Sequence, residues 1–274
     1  MPTKTLRYGT AHERRARILE LLHERSHLSA TELSKSFGVS TMTIRRDFQR
    51  LASEGGVREV RGGISVMPSG HGRGMDGTGT DFSIRMGEMV EAKRAIARKA
   101  VELIREDTTI ALDAGTTTLE MVRLLPSKMR LTVVSASLPV TVALADRPEI
   151  EVMGLGGVLH RESQAYAGPQ TLAVLRELRI HQAFLAASAI RDGQVLCGNV
   201  WDSETKRLLV ECSDERILLA DSSKFHLSAM TRVGPISAMQ TLVVDEGITA
   251  QDRDGVEAAG TKVLLAPLSH GEEM

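Results

Sequence analysis

Apolar residues near the amino terminus recur at the spacing of amphipathic helices. In the segment 40–51, Ile44, Phe48 and Leu51 fall on one side of a 3.6-residue period, whereas basic and polar residues occupy the other side. Residues 17–24 show the same period. The pattern therefore predicts two helices, each of which buries one face.

A shorter helix is predicted between these two. Ser29 and Glu32 have the spacing of a capping box, Gly38 is placed to end the helix, and Ser40 can cap the next one. Two short helices joined by a tight turn that contains glycine, the second of them basic, are typical of a helix-turn-helix motif.

Glycine pairs after this motif predict a β-hairpin. The stretch 55–63 begins and ends with two glycines around a short strand pattern, and such a wing could lay Arg58 and Arg61 on a DNA backbone. We therefore predict a winged helix-turn-helix domain over residues 11–66. The glycine-rich stretch that follows is predicted to be a linker over residues 67–82.

The polar side of the second helix carries the candidate DNA contacts. The planar arginine guanidinium matches both phosphate oxygens and the acceptor pair of guanine, so Arg45 and Arg46 are predicted as the principal contacts to bases. A solvated basic helix is the alternative for an isolated charge run, and the neighbouring motif decides against it. The predicted DNA-binding residues are Ser40, Thr41, Met42, Thr43, Arg45, Arg46, Arg58 and Arg61.

Beyond residue 83 the chain alternates short apolar runs with helix-length segments. Strands without a polar face, alternating with helices, predict a mostly parallel sheet covered on both sides. The predicted strands are 109–112, 131–134, 150–153, 183–187, 217–220, 241–244 and 263–266. This α/β domain is placed at residues 83–268, and it starts with an amphipathic helix within 88–106 whose Lys93 is predicted to face solvent.

The first predicted strand runs into Asp113, Gly115 and three threonines that open a helix, Thr116, Thr117 and Thr118. The first amide groups of a helix are unpaired and the helix dipole is positive there, so a phosphate is the expected ligand. We predict that these hydroxyls and amides face outward together. Simple helix capping is the alternative, and it is less favoured for three threonines in a row after a buried strand.

Open α/β sheets bind ligands beyond the carboxyl ends of their strands, which gives further candidates. Gly156 and Gly157 either let the backbone approach a ligand or form a turn. Lys206 and Lys224 could each bring positive charge to a phosphosugar, although a surface salt bridge is the commoner meaning of an acid near a lysine. The predicted effector-binding residues are Asp113, Gly115, Thr116, Thr117, Thr118, Ser135, Gly156, Gly157, Glu204, Lys206, Asp221 and Lys224.

Charge and composition add to this picture. Residues 1–66 carry a net charge of +5 and the remainder −6, which is typical of a nucleic-acid-binding head on a separate control domain. Cys197 and Cys212 have no CxxC spacing, so neither a disulfide framework nor a metal site is indicated, and no cofactor is predicted. Because no run of eighteen apolar residues occurs, we expect a cytoplasmic protein without a membrane partner.

Several motifs resemble one family. Thr43-Ile-Arg-Arg-Asp47 and Arg61-Gly-Gly63 resemble the amino-terminal domain of the DeoR family of bacterial sugar-metabolism regulators, and Asp113-x-Gly-Thr-Thr-Thr118 and Asp221-Ser-Ser-Lys-Phe225 resemble its effector domain. That domain is itself similar to sugar-phosphate isomerases. The resemblance implies a transcriptional regulator, usually a repressor, of a carbohydrate operon, whose affinity for double-stranded operator DNA is controlled by a phosphorylated sugar. Ser135 and Ala136 stand where many relatives have Thr-Asn, so the resemblance does not identify the effector sugar.

A sugar-phosphate isomerase with an appended DNA-binding head is the alternative function. Isomerisation through an enediol needs a carboxylate base beside the substrate, and the stretch 184–190, which corresponds to an acidic region of ribose-phosphate isomerases, contains no acid. We therefore predict that the protein is not an enzyme. Helix-turn-helix proteins usually act as symmetric oligomers, so a homodimer or homotetramer is expected.

Overall fold

The computed structural model describes residues 11–24, 27–54, 57–60, 63–66 and 82–268. Contacts between residues divide the chain into two compact units, Met1–Gly72 and Arg73–Met274. Each unit is described by itself below.

The first unit contains three helices and a small antiparallel sheet. Its elements are α1 (Ala11–Glu24), β1 (His27–Ser29), α2 (Ala30–Phe37), α3 (Thr41–Glu54), β2 (Val57–Val60) and β3 (Gly63–Val66). Strand β3 lies between β1 and β2 and pairs with both of them. The helices α2 and α3, together with the β2–β3 hairpin, confirm the predicted winged helix-turn-helix fold.

The predicted inner face of α3 forms part of the core of this unit. Ile44, Phe48 and Leu51 are buried and pack in one cluster with residues of α1, α2 and β3. The turn between α2 and α3 depends on Gly38, whose φ of 67° lies in the left-handed region that favours glycine. Ser40 then caps α3, since its hydroxyl oxygen accepts a hydrogen bond from the Thr43 amide at 3.1 Å.

The second unit alternates strands and helices. Its helices are α4 (Phe82–Gly87), α5 (Val90–Val101), α6 (Thr116–Leu124), α7 (Leu138–Leu144), α8 (Pro169–Arg176), α9 (Val200–Cys212) and α10 (Ala250–Ala258). Its strands are β4 (Thr108–Leu112), β5 (Leu131–Ser135), β6 (Ile150–Gly154), β7 (Val158–His160), β8 (Ala165–Ala167), β9 (Ile180–Ala186), β10 (Ala189–Arg191), β11 (Gln194–Cys197), β12 (Ser213–Leu219), β13 (Thr231–Pro235), β14 (Thr241–Asp245) and β15 (Lys262–Ala266). Short 3-10 turns follow β12 and β13, at Ser222–His226 and Ile236–Ala238.

Seven of these strands form one parallel sheet, in the order β15-β14-β12-β9-β4-β5-β6. One face is covered by α5, α6 and α7, and the other by α8, α9 and α10, so that each face has its own hydrophobic core. The seven strands are those predicted from the apolar runs. The predicted fold class is therefore confirmed.

Two smaller sheets complete the second unit. The β7–β8 hairpin packs beside the carboxyl ends of β5 and β6, and β10, β11 and β13 form a separate antiparallel sheet. No helix in the described ranges is both long and apolar enough to cross a membrane.

Candidate functional site

The outer face of α3 presents the predicted base contacts to solvent. Met42 is 62% exposed, and Arg45 and Arg46 are exposed next to it. A large apolar side chain on the same helix face as two guanidinium groups suits contact with base edges in the major groove. The first turn of α3 thus has the chemistry of a DNA-recognition helix.

The smaller polar residues at the start of α3 have structural partners. The Thr43 hydroxyl lies 2.8 Å from the Ser40 hydroxyl, and the Thr41 hydroxyl is 3.4 Å from that of Ser34 in α2. These contacts hold the start of α3 against the turn. Phosphate contacts by Ser40, Thr41 and Thr43 stay predictions.

A buried ion pair fixes the angle of α3 within the domain. The Arg14 Nε donates a hydrogen bond to Asp47 Oδ2 at 2.6 Å, and both side chains are buried. Arg15 approaches the other carboxylate oxygen at 3.6 Å. Asp47 therefore attaches α3 to α1, while the arginines that precede it in the sequence point to solvent.

The predicted wing contacts cannot be placed in the same way. Arg58 lies in β2, whose backbone is described, whereas Arg61 lies outside the described residues. Their roles stay predictions.

In the second unit a cleft opens at the carboxyl ends of β4 and β5. Asp113 and Ser135 lie at its base, the β7–β8 hairpin forms one wall, and the first turns of α9 form the other. The cleft is narrow and partly open to solvent. Ligands of open parallel sheets bind at this edge, so the cleft is the candidate effector site.

Asp113 is buried in a hydrogen-bonded network at the base of the cleft. Its Oδ1 accepts from the Ala114 amide and its Oδ2 accepts from the Ala186 amide, both at 2.8 Å. Oδ2 also accepts a hydrogen bond from the Lys206 ammonium, which is buried as well. The carboxylate thus joins the ends of β4 and β9 to α9.

Lys206 is paired rather than free. Its Nζ also lies 3.4 Å from an oxygen of Asp202. Burial alone would lower the pKa of Lys206, but the two carboxylates outweigh burial and raise that pKa above its ordinary value. The lysine therefore keeps its charge and offsets part of the negative charge of the Asp113 and Asp202 carboxylates.

The start of α6 differs in part from the prediction. The Thr118 hydroxyl faces inward, where it donates to the carbonyl oxygens of Asp113 and Gly115 at 2.6 and 2.8 Å. Thr116 and Thr117 are buried as well, at 5% exposure each, so the expectation that the three hydroxyls face outward is wrong. Within the described part of the chain, the hydroxyls of Thr116 and Thr117 form no hydrogen bond. Two threonines and the first-turn amides thus offer donors to an anion, and the third threonine holds the turn.

The glycines after β6 form a turn that packs against α8. The φ of Gly157 is +133°, and a Cβ there would lie 2.6 Å from the Ala167 carbonyl oxygen and 2.5 Å from the Thr171 hydroxyl oxygen. The Thr171 hydroxyl donates to the Gly156 carbonyl. The close backbone approach is therefore made within the protein, which favours the turn interpretation of the two that the sequence left open.

Two lysines meet near the carboxyl end of β12. The expectation that Lys93 faces solvent is wrong, because its side chain is 4% exposed and its Nζ donates to the Arg85 carbonyl in α4. Burial and the nearby charge of Lys224 lower the pKa of Lys93 to about 8. Lys224 in turn lies 3.8 Å from an oxygen of buried Asp221.

The predicted effector residues therefore occupy three places at one edge of the sheet. Asp113 and Ser135 line the cleft, although the Ser135 hydroxyl donates to the Leu112 carbonyl at 2.6 Å. Gly115 and the threonines open α6 beside it, and Lys224 lies beyond β9 at the end of β12. Glu204 is half-buried on α9 and does not line the cleft.

Sequence reasoning missed the walls of the cleft. His160 and Tyr166 come from the hairpin, and Asn199, Trp201 and Asp202 come from the start of α9. The signal that could have found the second group is the Asn cap followed by an aromatic residue near a strand end, where an open sheet binds its ligands. Among the described residues, no group of three or more His, Cys, Asp or Glu side chains could hold a metal ion.

Family comparison supports the same division into two functions. A DeoR-like helix-turn-helix domain matches residues 14–69, and a DeoR C-terminal sensor domain matches residues 88–246. The chain belongs to the DeoR family. It is a DNA-binding transcriptional regulator.

Named relatives of this DeoR-family chain cover nearly its whole length. It is 29% identical to the helix-turn-helix-type transcriptional repressor CsqR of Escherichia coli K12, over 93% of this chain and 96% of that protein. It is 30% identical to an L-fucose operon activator of Haemophilus influenzae, over 84% and 90%. Among solved structures, ribose 5-phosphate isomerase A of Neisseria gonorrhoeae matches 48% of this chain and 52% of that chain, with 22% identity and a TM-score of 0.37.

Proposed function

We propose that the chain regulates a carbohydrate operon and that a phosphorylated sugar controls its operator affinity. The observation that carries this proposal is the start of α6, which follows Asp113 and Ala114 of the cleft lining. The first amides of a helix have no partner within the helix, and the hydroxyls of Thr116 and Thr117 form no hydrogen bond within the described residues. A helix N-terminus of this kind suits a phosphate. The printed name of one relative, an L-fucose operon activator, supports the carbohydrate part.

Positive charge at the same edge of the sheet supports the phosphate. Only β9 separates the carboxyl ends of β4 and β12, so the two ends lie about 10 Å apart. Lys224 and Lys93 lie at the end of β12. A phosphate dianion at the α6 start would be attracted to both ammonium groups.

The sugar part of the effector would extend into the cleft. Ala114 lines the cleft and precedes Thr116 by two residues, so the proposed phosphate position lies next to the cleft lining. The walls then supply both polar and aromatic groups, which is the usual composition of a small-molecule site.

On the DNA side, we propose that Arg45 and Arg46 contact bases through α3. The symmetric oligomer that a single short recognition helix usually requires remains part of the proposal, as do the domain limits 11–66 and 83–268. The CsqR and L-fucose relatives are named a repressor and an activator, so the direction of regulation is a separate question for the operator measured.

The isomerase alternative is not favoured. Named relatives of the whole chain are transcriptional regulators, and the segment that ends β9, residues 184–190, carries no carboxylate that could act as a base. We propose that the fold has kept a phosphate site and uses it for sensing.

The proposal is tested by calorimetric titration of the full chain with aldose and ketose phosphates of three to six carbons. We expect at least one to bind the wild type, and the double variant Thr116→Ala/Thr117→Ala to lose that binding while still binding operator DNA. Thr141→Ala is the matched control, because its hydroxyl donates only within α7, to the Ser137 carbonyl at 2.9 Å. Wild-type protein that binds none of these compounds would contradict the proposal.

A further inference from the structure

We propose that His160 and Trp201 form a sugar-selective wall of the cleft, a subsite for the carbon chain of the effector as distinct from its phosphate. This inference rests on the proposed function and deepens it. It names the residues that distinguish one sugar phosphate from another, in a place where the sequence motifs identify none.

The two rings come from opposite walls and meet across the cleft. His160 ends β7 in the hairpin, and Trp201 is the second residue of α9. Their ring centroids are 5.7 Å apart and their planes are inclined by 29°, which is a stacked arrangement. Both side chains line the cleft.

The hairpin that carries His160 is firmly attached. The Tyr166 amide donates to the Ala136 carbonyl at 2.8 Å, and the Leu138 amide donates to the Gln164 carbonyl at 3.0 Å. At the hairpin tip, the Phe82 amide donates to the Glu162 carbonyl at 2.7 Å. His160 is therefore held in place by backbone contacts that do not depend on its stacking with Trp201.

Trp201 is half exposed despite this stack. Its side chain belongs to a residue that is 49% exposed, although tryptophan carries one of the largest apolar surfaces of any side chain. The C–H groups on one face of a sugar pack well against the electron-rich face of an aromatic ring, so a bound sugar would cover surface that is now exposed.

Polar groups that suit sugar hydroxyls lie next to Trp201. The side-chain oxygen Oδ1 of Asn199 accepts from the Asp202 amide at 2.8 Å, while the side-chain N–H donors of Asn199 form no hydrogen bond within the described residues. The Asp202 carboxylate is held by Lys206 and by the Cys197 thiol, which donates to it at 2.8 Å. An amide donor and a fixed carboxylate acceptor beside an aromatic face favour a polyhydroxylated carbon chain over a purely apolar ligand.

Trp201 is also the only tryptophan of the chain, so its fluorescence reports directly on the proposed subsite. The full chain is titrated with the aldose and ketose phosphates and, separately, with inorganic phosphate. We expect the fluorescence emission of Trp201 to change and reach saturation as the most tightly bound sugar phosphate is added. Inorganic phosphate, which would occupy only the α6 start, is expected to bind without that change.

Two substitutions distinguish stacking of the sugar on an aromatic ring from packing against any apolar side chain. Trp201→Phe keeps an aromatic ring, and Trp201→Leu keeps an apolar side chain at the same half-exposed position, so both are expected to fold. Calorimetry should show that Phe changes the dissociation constant of the sugar phosphate by less than about threefold and that Leu weakens it by about tenfold. Affinity for inorganic phosphate should change by less than about twofold in both variants.

Two results would overturn the inference. Sugar-phosphate affinity that is unchanged in Trp201→Leu would show that the stack only braces the hairpin against α9. An equal loss for sugar phosphate and inorganic phosphate would show that the residue acts through the phosphate site or through folding. Failure of the proposed function gives a different result, because then the wild type itself binds no sugar phosphate.

Discussion

Asp113 and Lys206 show how a residue can be found from sequence while its role stays hidden. Both were predicted as effector-binding residues, and the structure pairs them with each other across 93 positions of the chain. A pairing of this kind depends on how β4 and α9 pack, and local sequence carries no sign of it. The pair closes the base of the cleft and neutralises charge there.

We predict that Lys206→Met lowers the free energy of unfolding by about 3–5 kcal/mol, because it leaves the buried Asp113 carboxylate without its ion pair. Chemical denaturation monitored by circular dichroism measures the loss. The double variant Asp113→Asn/Lys206→Met removes both charges and should recover part of the loss, because Asn keeps one of the two oxygens that accept the Ala114 and Ala186 amides. A single variant within about 1 kcal/mol of the wild type would show that the pair contributes little to stability.

Lys93 was misplaced because helical periodicity assigned it to the polar face of α5. The structure buries its long side chain against the neighbouring helix α4 and near Lys224, which is distant in sequence. A titrating lysine beside a proposed phosphate site has measurable consequences for stability and for binding.

We predict that Lys93 makes stability rise with pH between about 8 and 10.5. In that window the folded chain has lost the Lys93 proton, because its pKa is lowered to about 8, whereas the unfolded chain still holds it. Lys93→Met should remove the rise, which amounts to at most about 3 kcal/mol. Urea denaturation across this range measures it, with Lys99→Met in the same helix as control. Parallel curves for wild type and Lys93→Met would contradict the prediction.

Arg46 lies on the exposed face of α3 and is predicted to contact bases of the operator. If its guanidinium forms a bidentate contact with guanine, Arg46→Ala weakens operator binding by about 1–3 kcal/mol and affects random DNA less. Fluorescence anisotropy with both DNAs measures the difference. Arg176→Ala, an exposed arginine in α8, removes the same charge as a control. Equal losses on both DNAs would show that Arg46 contacts only phosphate.

At the scale of elements, long regular segments were predictable and short ones were not. The seven strands of the parallel sheet are buried on both faces, so their composition alone marks them. Strands β7 and β8 have three residues each, which is too short for a period-2 pattern, and backbone hydrogen bonds to the end of β5 and the start of α7 fix their position. The cleft wall was missed for this reason.

The turn after β6 gives a matched pair of glycines. Gly157→Ala should lower the free energy of unfolding by about 1–3 kcal/mol, because its φ of +133° is strained for alanine and the new Cβ would overlap the Ala167 carbonyl. Gly156→Ala should be nearly neutral, since a Cβ there meets no atom within 4 Å. Thermal unfolding of both variants compares them. A larger loss at Gly156 would contradict the assigned turn geometry.

At the scale of the whole molecule, the sequence predicted a DNA-binding unit followed by a separate sensor unit. The basic first unit and the acidic second unit follow from a count of charges, and the family motifs lie in both. The way in which occupancy of the cleft changes DNA affinity depends on the free energies of two states of the regulator. A coupling of about 1–3 kcal/mol between cleft and DNA site is enough for a switch.

The most direct test of the account is the affinity of the full chain for its operator with and without the sugar phosphate that the cleft binds. Fluorescence anisotropy at fixed ionic strength should show a change in the dissociation constant of about fivefold or more, in either direction. The same sugar phosphate should leave operator binding by Thr116→Ala/Thr117→Ala unchanged. A wild-type affinity that is identical with and without every sugar phosphate bound by the cleft would contradict the claim that the second unit controls the first.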